Sequence, residues 1–422
     1  MIRRKIRTPV SLSKSVSRIA VLDGAKGESQ LCFGYEQGDF GLKSCPAPGA
    51  QTVNGVTADK LYAVERHALF GLTLLEYTNG FAVVFKDGQT PYNFAHLDSG
   101  KPFSAEARNE NGDKLIVYVC GDKMCVYNGV TENMQTYNLP TPAYGGVVHC
   151  GRLFVVDGNN GCKVVWSGLR VTDWQDGVQG SGYALLDGDL GQVLELKNFG
   201  DDILVVRETG FSVMHAMADS RNFRIAPSQN VIKTGGRINV GGVLGRKYYF
   251  TSGGGLYSFD GDSIATEYAT GAILSSLGRA YVYGDGYVYA DCVYGGVRCI
   301  MRYEPESKKA VFFGADCSFP FISDGKLYCV KDYGFYNLST ENGEDGRIWR
   351  SQPIGNCGKK VLKTLWADAC GSPEITVVCG DVSRKFKGKG KFLVNASGES
   401  LKIEIRGHAA VKSVTAELEV RK

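Results

Sequence analysis

Leu72–Gly88 reads "LTLLEYTNGFAVVFKDG", two short apolar runs on either side of a Thr-Asn-Gly turn. Runs of four or five aliphatic, β-branched and aromatic residues are too short for a buried helix. They carry too little polar alternation for a strand with one wet face. Asn and Gly accept the positive φ that a tight hairpin turn demands. The stretch therefore predicts a β-hairpin buried on both faces.

The same texture returns six times. It reads "KLIVYVCGDKMCVYNG" from Lys114, "GRLFVVDGNNGCKVVWSG" from Gly151 and "DILVVRETGFSVM" from Asp202. It recurs as "RKYYFTSGGGLYSFDG" from Arg246, "RAYVYGDGYVYADC" from Arg279 and "KLYCVKDYGFYNL" from Lys326. The copies start roughly 40 residues apart, which leaves room for two more strands per repeat. A two-stranded ribbon is unstable alone, so the repeats must pack against one another. Four-stranded units repeated radially make a β-propeller. The expected fold is all-β, a six- or seven-bladed β-propeller over residues 58–352. A long sandwich is the alternative, but one repeated hairpin favours radial repetition. No known repeat signature fits: "DW" at Asp173–Trp174 has no recurring "GH…WD", and the double glycines of "YGGVVHCGRLFVVDG" lack the later paired aromatics of kelch repeats. The Ser-x-Asp-x-Gly-x-x-Trp box of sialidase-type propellers does not occur either.

Beyond Trp349 the texture changes. "EITVVCG", "KFLVNA", "LKIEIRG" and "VTAELEV" alternate apolar with polar residues, the mark of strands with one wet face. A small C-terminal β-sandwich is expected over residues 353–422. Residues 1–57 resemble neither region and are expected to form an extension and connector, with "KSCPAPGAQTVNGV" leading into the first blade.

Composition agrees with this. With 43% hydrophobic and 11% aromatic residues the chain can fill a core, and 55 glycines beside 22 Tyr and 20 Phe suit short strands and tight turns. A net charge of +4 points to no nucleic-acid partner by itself. No run of 18 apolar residues occurs, so no spanning helix is expected. The basic start "MIRRKIRTPVSLSKSVSRIAVL" has no apolar h-region, which argues against a signal peptide. Thirteen cysteines without CxxC pairs, and five scattered histidines, predict reduced thiols acting as small apolar residues, with no metal site. The sequons "NAS" and "NLS" matter only in a secreted chain and are set aside.

From Val148 to Met214 the chain resembles the β-propeller virion proteins of tailed bacteriophages, of the tail-nozzle and neck DNA-stabilisation type with a C-terminal β-sandwich. The resemblance lies in "GRLF", then "WSGL", a "DW" element, an acidic Gly turn and "FGDDILVVRETG". It implies a non-enzymatic structural component of the virion, assembled in the host bacterial cytoplasm as a ring in the neck, nozzle or tail. Its implied partners are copies of itself (six by analogy), adjacent neck or tail proteins, and double-stranded DNA in the lumen.

Chemical motifs are few. "GNCGKK" has the wrong spacing for a phosphate loop, and no G-x-S-x-G elbow occurs. Asp187, Asp189 and Glu195 in "LDGDLGQVLE" do not fit a twelve-residue calcium loop. Asp201, Asp202, Glu208, Asp285 and Asp332 are the acids to consider at a propeller axis, although turn residues explain them equally well. No catalytic residue, cofactor or metal ligand is expected. Trp166 and Trp174 are expected to seal blade faces or junctions rather than hold a ligand, because buried aromatics are usually core. Two basic clusters are candidate DNA or partner contacts: Arg3, Arg4, Lys5 and Arg7, and Arg384, Lys385, Lys387, Lys389 and Lys391. A solvated face is their default reading. Two other functions stand beside the structural one. A propeller binding module for a host-surface glycan or protein needs exposed aromatics on a rim, and a hydrolase or lyase needs charged residues converging on the axis.

Overall fold

The computed structural model describes the chain except residues 1–3, 11–28, 34, 39–40, 52–56, 87–88, 175–179, 218, 232–235, 342–346, 352, 354–359 and 421–422. Among the described residues there is no α-helix, only one short 3-10 turn at Ser220–Asn222. Strands make up nearly everything else, as the short apolar runs and their turns require.

Seven blades form a β-propeller. Blade 1 is Leu61–His67, Leu72–Tyr77, Phe81–Phe85 and Tyr92–His96. Blades 2 and 3 share a six-stranded sheet because one of its strands, Asn133–His149, runs from one blade into the next. Lys114–Asn128 doubles back after Gly121, and the Gly129 N–H donates to the Lys114 carbonyl at 3.0 Å. Asn133–His149 pairs with blade 2 through residues 133–138 and with Arg152–Asp157 of blade 3 through residues 143–149. Blade 3 is completed by Lys163–Trp166 and Gly182–Leu185. Blade 4 runs from Val193–Phe199 to Arg224–Val231, blade 5 from Asn239–Leu244 to Ile264–Ala269, and blade 6 from Leu274–Val282 to Lys309–Phe313.

Blade 7 closes the ring. Ser318–Ser323, Lys326–Lys331 and Gly334–Ser339 take their fourth strand, Ala47–Gln51, from the other end of the sequence. The outer strand of the last blade thus precedes the inner strand of the first, and covalent continuity locks the circle.

Six of the seven repeated hairpins are the second and third strands of their blades. The seventh is out of phase: "RAYVYGDGYVYADC" joins the first and second strands of blade 6, and the equivalent turn lies at Gly295–Gly296, both at positive φ. Both turns are flanked by the same Tyr- and Val-rich texture, so the local pattern could not set the phase.

The core lies between the blades. Each of the seven junctions holds a cluster of buried side chains. The closing junction joins Val64, Leu75 and Phe85 of blade 1 to Phe321, Tyr328 and Phe335 of blade 7, with Phe85 edge-on to Phe321 at 5.2 Å and to Tyr328 at 5.0 Å. Fully burying such a ring stabilises by about 1.5–3 kcal/mol, and edge-to-face pairs add to it. Most described cysteines are buried in these clusters; Cys292 and Cys299 are cross-strand partners with Sγ atoms 3.4 Å apart.

Two further sheets face one another. One contains Tyr35–Gly38, Gly41–Ser44, Ala409–Val420, Lys360–Gly371 and Gly390–Gly398, with Arg4–Val10 also paired to Ala409–Val420. The other contains Ser29–Phe33, Ile348–Ser351, Leu401–Arg406, Glu374–Cys379 and Val382–Lys387. Their inner faces share one cluster around Trp349, Leu365, Ile375, Ile403 and Val411. Alternation drives this pairing: in Leu401–Arg406 every second residue is buried.

The N-terminal segment, expected as a connector, supplies strands to both bodies, and the sandwich takes in Ile348–Ser351 ahead of the expected start at residue 353. The short N-terminal stretches "QLCF" and "YEQG" are neither long nor apolar enough to announce strands without their partners. Only Cys45 and Pro46 separate the last sandwich strand of this segment from the blade 7 strand. Across the junction Lys43 Nζ sits 3.0 Å from Glu36 Oε1, while Arg302 of blade 6 pairs with the other oxygen of Glu36. The Cys32 N–H donates to the Tyr294 hydroxyl at 3.2 Å, and Phe33 enters the blade 5–blade 6 cluster.

Candidate functional site

The inner strands of the blades converge on a cavity of about 340 Å³. Their alternation gives each strand two jobs, one face to a junction and one to the axis. Leu61–His67 buries Val64 in the closing junction and presents Tyr62 and Glu65 to the cavity. Val193–Phe199 presents Glu195 and Lys197, and Leu274–Val282 presents Arg279 and Tyr281, with Tyr283 just beyond it.

These side chains form a connected charged group. Lys197 Nζ lies 3.5 Å from Glu195 Oε2 and 4.0 Å from Glu65 Oε1. The Glu195 charge, first among several causes, holds the Lys197 ammonium above the usual lysine range. Glu195 Oε1 accepts the Tyr248 hydroxyl at 2.5 Å and the Gly241 N–H at 3.2 Å. Glycine is needed at 241, where a Cβ would lie 1.8 Å from the Tyr249 carbonyl oxygen. Arg279 donates from one terminal nitrogen to the Tyr62 carbonyl at 3.1 Å and lies over the Tyr281 ring at 5.6 Å. Its Nε is buried without a partner. Asp291, pushed up by burial, accepts the Tyr281 hydroxyl at 2.8 Å and the Phe319 N–H at 2.7 Å.

Behind the wall runs a second chain of hydrogen bonds. The Ser104 hydroxyl donates to Glu76 Oε1, and His67 Nε2 lies 2.7 Å from the same hydroxyl. Burial, helped by the nearby Glu65 charge, pushes Glu76 up to about 8, so it is largely protonated at neutral pH. Burial also pushes His67 down to about 4, leaving it neutral. Glu76 Oε2 has no partner. The order His–Ser–Glu puts the hydroxyl in the middle, whereas a nucleophilic triad puts the imidazole there.

The acids considered from sequence lie elsewhere. Asp202 pairs with His215 at 2.8 Å, Glu208 with Arg237 at 2.8 Å, and Asp285 accepts the Tyr289 hydroxyl at 2.6 Å. Asp332 sits in a hairpin turn at positive φ, and the Asp201 carbonyl faces His149 at 3.1 Å. Asp187 takes the buried Arg207 at 2.9 Å, Asp189 is exposed, and Glu195 belongs to the axis. The axial residues Glu65, Glu76, Glu195, Lys197 and Arg279 were passed over because they lie far apart in sequence. The available signal was charge inside the strand preceding each hairpin, as in "YAVERH", "VLELKN" and "GRAYVY".

The two tryptophans hold blade 3 from opposite sides. Trp166 packs with Phe154 and Phe223 in the junction with blade 4, and its indole N–H donates to the Gly180 carbonyl at 3.0 Å. Trp174 packs into the junction with blade 2, its Nε1 buried without a partner.

Of the basic residues, Arg3 lies outside the described residues, and Arg4, Lys5 and Arg7 belong to strand Arg4–Val10 at the sandwich. Arg384, Lys385 and Lys387 lie on the edge strand Val382–Lys387 of one sandwich sheet, while Lys391 lies on Gly390–Gly398 of the other. The stretch "SRKFKGKGK" thus crosses between sheets through Gly388 and Lys389. Lys385 pairs with Glu374 at 3.1 Å, and Lys391 lies over the Trp366 ring at 5.6 Å.

No protein-family model and no curated protein sequence matches this chain. Solved structures match it in fold. Streptogramin B lyase aligns over 98% of its own chain and 70% of this one, at 9% identity with a TM-score of 0.51. The β-propeller domain of Cps50 (Swd1) from Myceliophteria thermophila aligns over 98% of its chain and 69% of this one, at 11% identity and a TM-score of 0.45. The extracellular domain of a one-component system from B. thetaiotaomicron aligns at 12% identity and a TM-score of 0.46; this chain is 81% covered but spans only 46% of that one. The chain is a β-propeller, a fold that serves structural and binding roles and includes enzymes.

Proposed function

We propose that the protein is a non-enzymatic structural component of a tailed-phage virion, one subunit of a ring in the neck, nozzle or tail. The observation that carries this reading is the stitching of the two bodies by one segment, Ser29–Gln51, which supplies strands to both sandwich sheets and to blade 7. The Arg302–Glu36 ion pair, the Cys32–Tyr294 hydrogen bond and Phe33 in the blade 5–blade 6 cluster hold the two bodies against each other beside this segment, which suits a part that bears load. The resemblance of Val148–Met214 to phage propellers supports the same reading. Ring closure by heterologous contacts is the natural assembly mode. DNA, where it passes, runs through the ring of subunits. A cavity of about 340 Å³ filled with charged side chains admits no duplex, whose major groove alone is about 12 Å wide.

Light scattering on the full chain, alone and mixed with portal and tail proteins of the same source, tests this. A ring-sized species, formed alone or with such a partner, is the expected result. A monomer inert toward all of them overturns it.

A second reading, a propeller binding module, is favoured by the tyrosines Tyr62, Tyr281 and Tyr283 that line the axial cavity; the charged residues converging there are what a hydrolase or lyase also requires.

A further inference from the structure

We propose that the axial cavity binds a small zwitterion, a molecule of amino-acid size carrying one carboxylate and one ammonium group. The inference rests on the second reading, not on ring assembly, and names its ligand class.

Charge balance selects the class. The cavity wall carries two basic side chains, Arg279 and Lys197, and two acidic ones, Glu65 and Glu195, beside the largely protonated Glu76. A zwitterion offers each sign on the wall a partner, whereas a net anion or net cation meets like charge as well as opposite charge.

Two wall groups are left with incomplete partners, and they have opposite sign. Arg279 has one terminal nitrogen on the Tyr62 carbonyl and stacks on Tyr281, which fixes the plane of the guanidinium. Its Nε, on the edge that a carboxylate meets bidentately, has no acceptor. Among the described contacts Glu65 has one ion pair, to the Lys197 ammonium at 4.0 Å, with the Arg279 charge also acting on it, in contrast to Glu195, which has three donors around it. Tyr62 and Glu65 lie three residues apart on one strand, roughly 10 Å at the strand rise. Arg279 and Glu65 line the same cavity, so the two ends of one small molecule can meet guanidinium and carboxylate together. The Tyr62, Tyr281 and Tyr283 rings supply apolar wall and faces that attract an ammonium.

Size and access agree. About 340 Å³ falls at the lower end of small-molecule sites, which run from about 300 to 1,000 Å³. The Glu65 and Lys197 side chains are 39% and 29% exposed, so solvent reaches the cavity.

The test titrates the full chain with each of the twenty common amino acids by calorimetry, up to millimolar concentrations. At least one is expected to bind, and its affinity to fall at least about tenfold in Arg279→Gln and in Glu65→Gln. Glu65→Gln is the safer variant for folding, since Glu65 is partly exposed. The N-acetylated form and the decarboxylated amine of the bound amino acid should each bind at least about tenfold more weakly. The proposal is overturned if none of the twenty binds, if either variant binds as tightly as the parent, or if the N-acetylated form does. Any of these leaves ring assembly, read by light scattering, untouched; loss of assembly with binding intact fails only the structural reading.

Discussion

The junctions between blades and the axis they surround share the inner strands, yet they are chemical opposites. The junctions are apolar, and in several of them rings pack on rings, as where Phe211 stacks on Phe259 at 4.6 Å. The axis gathers Glu65, Glu195, Lys197 and Arg279 around a cavity that solvent reaches. Strand alternation allows both, because one face can be spent on cohesion while the other stays free to bind. Stability and binding can therefore be broken separately, and the variants below are ordered by how much they should cost.

The closing junction should be the most sensitive. Phe85 is fully buried and touches Phe321, Tyr328 and Phe335 of blade 7. Phe85→Ala should cost about 3–5 kcal/mol, read as a fall in urea midpoint with unchanged slope. A loss below about 1 kcal/mol would mean that the strand Ala47–Gln51 alone holds the ring shut.

The two tryptophans sharpen the same comparison. Trp166→Phe removes an indole N–H that donates to Gly180, and should cost about 1–2 kcal/mol through the lost bond and lost area. Trp174→Phe removes a buried N–H without an acceptor, and relief of that penalty should offset much of the lost packing, leaving the change within about 1 kcal/mol of zero. Parallel thermal melts decide it; equal losses would refute the distinction.

How much of this could be read from sequence depends on which face of a strand is asked about. The second and third strands of each blade are buried on both sides, so "LTLLEY" and "FAVVF" announce themselves, and Gly80 or Gly121 marks the turn with a positive φ. The inner strands are mixed, because one face meets the axis, and they vanish into ordinary alternation. Glu65, Glu195 and Arg279 meet only when seven repeats close a circle, a contact order that no local window contains. The N-terminal strands were illegible for a related reason: Ala47–Gln51, "APGAQ", is a strand only because Gly334–Ser339 offers it an edge.

Acid and base should act on the two buried groups beside the axis with opposite sign. Glu76 sits at about 8 when folded, above its ordinary 4.5, so the folded chain holds the extra proton between these values. Its contribution falls as pH rises from 4.5 to about 8 and is then constant. His67 sits at about 4 against an ordinary 6.5, so the unfolded chain holds the extra proton, and stability falls as pH drops from 6.5 toward 4. Each arm is worth on the order of a few kcal/mol. The two slopes nearly cancel between pH 4.5 and 6.5, so urea unfolding should show a plateau there, with stability falling below about 4.5 and above about 6.5. Glu76→Gln should flatten only the alkaline arm and His67→Gln only the acid arm; a variant that flattens both would show that the pair titrates as one unit.

The smallest effect belongs to the basic edge of the sandwich. Val382–Lys387 is an edge strand with exposed Arg384, Lys385 and Lys387, and positive charge on such an edge discourages pairing with another chain. Replacing Arg384, Lys387 and Lys389 together by alanine should change stability by less than about 0.5 kcal/mol, since no hydrogen bond or ion pair of these three is among the described contacts. What should change is association: the variant should form larger species at high concentration in light scattering. A duplex-DNA titration over a salt series supplies the contrary outcome. Loss of three phosphate contacts would lower the slope of log affinity against log salt by about 3, and such a fall with no change in association would make this edge a DNA contact instead of a guard against sheet pairing.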